Sequence, residues 1–174
     1  MSLYPYHTLL ASAAEYLRYD QGCYLVTWER GPWEDFGHRP DLLGVDKSRK
    51  VTEVEIKRSL ADFRNDATKR IWAYRAKGKA VPYKFYYLVP PELVERVFEL
   101  LPEGSGLMTV TDGTSRGGNH ELVVVAPAKT NRQAKPLPLK MLVQMVRHQS
   151  GTLVSAVSKL AQLKSSVAEK DEAV

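Results

Sequence analysis

Hydrophobic positions along the chain change period several times, and each change marks an element. Between residues 6 and 19, Leu10, Ala13, Ala14 and Leu17 recur at helical spacing, and Asp20-Gln21-Gly22 supplies a stop. Cys23 to Trp28 is short, aromatic and β-branched, which predicts a strand, whereas residues 29–39, with Gly31, Pro32 and Gly37, read as a loop. Residues 40–46 and 51–57 flank the polar run Lys47-Ser48-Arg49-Lys50 and predict a β-hairpin. Its second strand alternates cleanly, so Glu53, Glu55 and Lys57 share one face while Val54 and Ile56 lie on the other.

Ser59 begins a helix, with Asp62 near capping-box spacing and Leu60, Phe63, Ala67, Ile71 and Tyr74 as its apolar stripe. Lys84 to Val89 is a nearly continuous apolar run, as expected of a parallel strand covered on both faces. Pro90-Pro91 opens a further helix over residues 92–101, and residues 107–111 and 121–126 read as two strands joined by a glycine-rich loop. Leu139 to near Ser165 is helical, with a break expected at Gly151 and a frayed end over residues 167–174. The pattern predicts an α/β fold with a mixed central sheet: one domain over residues 1–126, a basic proline-bounded connector over 127–138, and a helical segment over 139–174.

A chain of 174 residues with 44% hydrophobic positions suits one core rather than several. Its net charge of +5 points to a polyanionic partner. The single cysteine, Cys23, excludes an intramolecular disulfide and a cysteine-based zinc site, and His7, His38, His120 and His148 lack ligand spacing. No apolar run approaches the roughly 18 residues of a membrane span, and the N-terminus lacks a basic segment followed by an apolar stretch. The expectation is a soluble cytoplasmic protein without a membrane partner.

The hairpin carries the chemistry. Pro40-Asp41 precedes its first strand and Glu55-Ile56-Lys57 ends its second, so two carboxylates and a lysine can converge. Such carboxylates suit Mg²⁺ or Mn²⁺, with the Ile56 carbonyl as a further ligand, and the lysine can orient or deprotonate a water and offset negative charge during phosphodiester hydrolysis. The alternative is a turn aspartate beside a solvated strand face. Register decides between them: pairing Asp46 with Lys50 sets Asp41 opposite Glu55, whereas pairing Asp46 with Val51 sets it opposite Ile56. Glu53 reads as a second metal ligand or as a strand-edge charge. Arg39, Arg58, Arg64, Lys69, Arg70 and Arg75 surround the site as candidate phosphate contacts, with a solvated helix face as the other reading of those on the helix. Trp33 is the better candidate for base stacking and Trp28 for the core; Met141, Leu142, Met145 and Val146 suit packing, with a homodimer as the other reading.

Pro40-Asp41 followed by Glu55-Ile56-Lys57 resembles the PD-(D/E)xK signature, and the order of elements is similar to the restriction-endonuclease-like αβββαβ core of that superfamily. More narrowly, the run from Val54 to Asp66 and the strand Phe85-Tyr86-Tyr87-Leu88-Val89-Pro90-Pro91 resemble the corresponding segments of MmcB-type DNA-repair proteins, over roughly residues 6–101. The resemblance implies a DNA endonuclease in which Asp41 and Glu55 bind metal, Lys57 is catalytic and Glu15 on the first helix adds an acidic group, its other reading being a surface glutamate. Asp66-Ala67-Thr68-Lys69-Arg70 stands where exonuclease-like relatives carry Gln-x-x-x-Tyr, which disfavours exonuclease action and leaves Asp66 and Lys69 as supporting groups or helix-surface charge. A DNA-binding module that does not cut is the rival reading.

Overall fold

The computed structural model describes residues 4–28, 39–66 and 82–171, with side chains as far as Gln162. Leu9, Ala13 and Leu17 form one row at steps of four and press α1 (Tyr6–Glu15), with the π-helical turn that continues it through Asp20, onto a sheet. Gly44 permits that approach: a Cβ there would lie 2.8 Å from the Cys23 sulfur and 3.1 Å from a Leu17 methyl.

The sheet contains β1 (Leu25–Trp28), β2 (Leu42–Val45), β3 (Val51–Ile56), β4 (Lys84–Leu88), β5 (Gly106–Thr114) and β6 (His120–Ala126), side by side in chain order. β1, β2 and β3 are antiparallel, β3, β4 and β5 run parallel, and β6 returns antiparallel to β5. The apolar run of β4 thus lies between two parallel neighbours. Its Phe85, Tyr86, Tyr87 and Leu88 are all buried, as a strand covered on both faces requires.

One face takes α1 against Leu42, Val54, Ile56, Leu88 and Met108. The opposite face is covered in two places. Met141 and Met145 of α4 (Leu139–Asp171) lie on Leu43, Val45 and Val51. Phe63 of α2 (Leu60–Asp66) and Val97 of α3 (Val94–Glu99, after a 3-10 turn at Pro91–Leu93) lie on Phe85, Tyr87 and Leu107. Each such side chain contributes roughly 1.5–3 kcal/mol on burial, so β3 and β4 are held from both sides. Glu53, Glu55 and Lys57 belong to this second face by alternation.

The expected break at Gly151 is absent: α4 runs unbroken for 33 residues and stays helical through Asp171, where fraying was expected from residue 167. One glycine costs a helix about 1 kcal/mol, too little to interrupt one of this length. Trp33, His38, Lys69, Arg70, Trp72 and Arg75 lie outside the described residues. No helix among the described residues is long and apolar enough to cross a membrane.

Candidate acid and lysine site

The hairpin turn sets the geometry. Asp46 Oδ1 accepts hydrogen bonds from the backbone N–H groups of Ser48 and Lys50, at 2.7 and 2.9 Å, and Arg49 takes a left-handed conformation with φ 62°. A three-residue loop with a left-handed last position closes a hairpin in a defined register. The Asp46 N–H accordingly donates to the Lys50 carbonyl at 3.0 Å, and Leu42 stands opposite Val54. Continued by one residue, this register sets Asp41 opposite Glu55, with Cβ atoms about 5 Å apart. Of the two registers open from the sequence, it is the one that unites the acids.

Asp41 bridges two elements. Its Oδ2 accepts from the Ile56 N–H at 2.8 Å, and its Oδ1 accepts from the Tyr6 hydroxyl of α1 at 3.2 Å. Burial and then the neighbouring Glu55 charge push its carboxyl from 3.8 up to about 6. In a strand the N–H and C=O of one residue point to the same side. The Ile56 carbonyl therefore faces the edge where Asp41 sits.

Glu55 and Lys57 are buried, at 2% and 3% exposure. The Lys57 ammonium lies 3.0 Å from Glu55 Oε2 and 2.9 Å from Asp66 Oδ1, the latter carried by α2. Burial opposes the charge on Lys57, but Glu55 and Asp66 outweigh it and hold the ammonium above the ordinary lysine range. Lys57 is thus a fixed cation here, which suits charge stabilisation rather than proton abstraction. Asp66 is fixed in turn: the Tyr87 hydroxyl donates to its Oδ2 at 2.8 Å, and Tyr87 stands beside Glu55 in the β3–β4 register. Ser59 Oγ caps α2 by accepting from the Asp62 N–H at 3.1 Å, so Phe63 and Asp66, three residues apart, both face inward over Tyr87.

Several sequence readings change. Glu15 lies roughly 13 Å along α1 from Tyr6 and is committed elsewhere: it accepts from Asn119 Nδ2 at 2.6 Å and from the Ser115 hydroxyl, in the β5–β6 turn. The first helix contributes Tyr6 to the site instead. Asp66 is not helix-surface charge and Glu53 is not a strand-edge charge, since both are buried, at 1% and 0% exposure. Trp28 is not core; it is 40% exposed. It walls a cavity of about 700 Å³ against α4, with Gln144, Arg147, His148, Thr152 and Lys159. Trp28 pairs with Leu42, the residue after Asp41, so the cavity adjoins the acid pair. Arg39, Arg58 and Arg64 are exposed around it. Two signals for Asp66 and Tyr87 were in the sequence: Asp66 follows Phe63 on the inward row of its helix, and Tyr87 belongs to an apolar strand in which a hydroxyl needs a partner.

No protein-family model matches the chain, and no curated protein does. Among solved structures it is similar to a protein of unknown function from Silicibacter pomeroyi, with 23% identity, a TM-score of 0.60 and coverage of 88% of this chain and 91% of that one. At that identity the likeness concerns the fold alone.

Proposed function

We propose that the protein is a metal-dependent endonuclease acting on DNA, with a restriction-endonuclease-like core and closest in kind to MmcB-type DNA-repair proteins. The observation that carries this reading is the hairpin register, which sets Asp41 opposite Glu55 with Lys57 on the same face. The order helix, three strands, helix, strand from α1 to β4 supports it as well.

The donor set fits a divalent cation. Among the described residues no group of three or more acidic, histidine or cysteine side chains converges on one point. Mg²⁺, however, needs only one or two carboxylates beside water and substrate phosphate. The mutual repulsion that raises Asp41 is what such a cation relieves. Asp41, Glu55 and the Ile56 carbonyl would hold Mg²⁺ or Mn²⁺, which when bound polarises the phosphate and acidifies water. Lys57 offsets negative charge at the phosphorus, Asp66 and Tyr87 position Lys57, and Tyr6 orients Asp41. Arg39, Arg58 and Arg64 contact the DNA backbone outside the site.

A DNA-binding module that does not cut is the second reading, favoured by the burial of Glu55 and Lys57 and by their direct ion pair. Supercoiled, linear duplex and single-stranded DNA, each with Mg²⁺, Mn²⁺ or EDTA, separate the two when wild type is run beside Asp41→Asn. Metal-dependent nicking absent from the variant establishes the endonuclease. Metal-independent binding with no cutting of any substrate leaves the module.

A further inference from the structure

α4 has two unlike faces. Met141 and Met145 are buried against the sheet, and Gln149 Nε2 donates to the Val26 carbonyl at 2.9 Å where the helix passes the edge strand β1. From Ser150 to Gln162 every side chain is exposed. Leu139, Val143, Val146, Leu153, Val157 and Leu160 form a second face, each between 51% and 67% exposed. With Ser150 they advance by four and three residues in alternation, the a and d spacing of a coiled-coil seam. An aliphatic stripe of this length marks an interaction surface, and each side chain gains about 1.5–3 kcal/mol on full burial.

We propose that this stripe pairs with the same stripe of a second copy of the chain, joining two molecules through a helix–helix seam. Heptad spacing specifies a helical partner. The flanking positions Gln149, Val154, Ala156 and Ala161 are uncharged, so identical helices meet there without like-charge repulsion and nothing selects an oppositely charged partner. The 33-residue helix is about 50 Å long and about 10 Å across, so a seam along it covers on the order of 500 Å² per chain. That is roughly 1,000 Å² for the pair, where specific interfaces begin. His148, Thr152 and Lys159 lie on a different face and line the cavity beside Trp28, which pairing leaves open.

Light scattering coupled to size exclusion, at micromolar concentration, tests the seam with the full chain. Wild type should show twice the 19.6 kDa chain mass. The variant Leu153→Lys/Val157→Lys should show half the wild-type mass with an unchanged thermal transition of the sheet domain. Thr152→Lys, on the cavity face, should stay at the doubled mass. A wild type of single-chain mass overturns the proposal, and so does a doubled mass that survives Leu153→Lys/Val157→Lys, because the contact then lies elsewhere.

Discussion

Replacing Asp41 with asparagine should stabilise the fold and abolish cleavage together, an opposition that an ordinary surface aspartate does not produce. The replacement keeps the shape: the asparagine carbonyl can accept from the Ile56 N–H, 2.8 Å from Asp41, and its amide can donate to the Tyr6 oxygen at 3.2 Å. What disappears is a charge that burial and Glu55 disfavour, as the rise from 3.8 to about 6 records. At pH below about 4 the carboxyl is protonated in folded and unfolded chains alike, and the stability tied to its raised pKa is fully present. Between about 4 and 6 the unfolded chain releases the proton first, so stability falls as pH rises; above 6 that contribution is gone. A rise of about two units corresponds to about 3 kcal/mol, and partial exposure of Asp41 brings the expected gain to about 1–2 kcal/mol. Urea unfolding at about pH 8 and about pH 5 reads the effect. The variant should exceed wild type at the higher pH by this amount and by less at the lower. Mg²⁺ or Mn²⁺ should raise the wild-type midpoint but not that of the variant. An asparagine variant less stable than wild type at about pH 8, or equally stabilised at both pH values, refutes the reasoning.

Lys57→Met leaves Glu55 and Asp66 buried without their cation and should cost about 3–5 kcal/mol in denaturant unfolding. Adding Asp66→Asn, which still accepts from Tyr87, should recover part of that loss, and no recovery would contradict the buried trio. Glu15→Gln should leave cleavage unchanged because Glu15 serves the β5–β6 turn; a large loss of activity with intact stability would restore it to the site. Trp28→Ala should weaken single-stranded DNA binding by about 1–3 kcal/mol in fluorescence anisotropy with little effect on stability. Arg49→Gly should stabilise the hairpin by about 1 kcal/mol, since a left-handed non-glycine residue is strained, with circular dichroism melts as the check.

Much of the fold was legible because local pattern and tertiary environment agree. β3 alternates, β4 is continuously apolar, and both occur where those periods place them. The register was not legible, because it rests on Arg49 at φ 62°, a conformation that arginine does not advertise, and on the Asp46 side chain choosing two particular N–H groups. The burial of Glu53 and Lys57 was hidden for a different reason. Alternation assigns a face, but the elements covering it are α2, directly after β3, and α4, which begins more than eighty residues downstream. Glu15 misled because a carboxylate on the first helix can serve either end of that helix. Its fate depends on Ser115 and Asn119, a hundred residues away.

Burying Lys57 between Glu55 and Asp66 is a poor way to stabilise this sheet. Taking three charged groups from water costs several kcal/mol each, and attraction within the trio recovers that only with good geometry. An apolar substitute of similar size would join Phe63, Phe85 and Tyr87, which already fill this face. Asp41 makes the cost larger, since it stands opposite Glu55 with its own charge disfavoured. A strand interior needs none of these groups, yet α2, β2, β3 and β4 each place a polar residue at this one point, and Tyr6 and Tyr87 are spent orienting them. Expense of this kind, concentrated where four elements meet and beside an open cavity walled by Trp28 and Arg147, is the physical signature of a site kept for what it does to a ligand rather than for the fold.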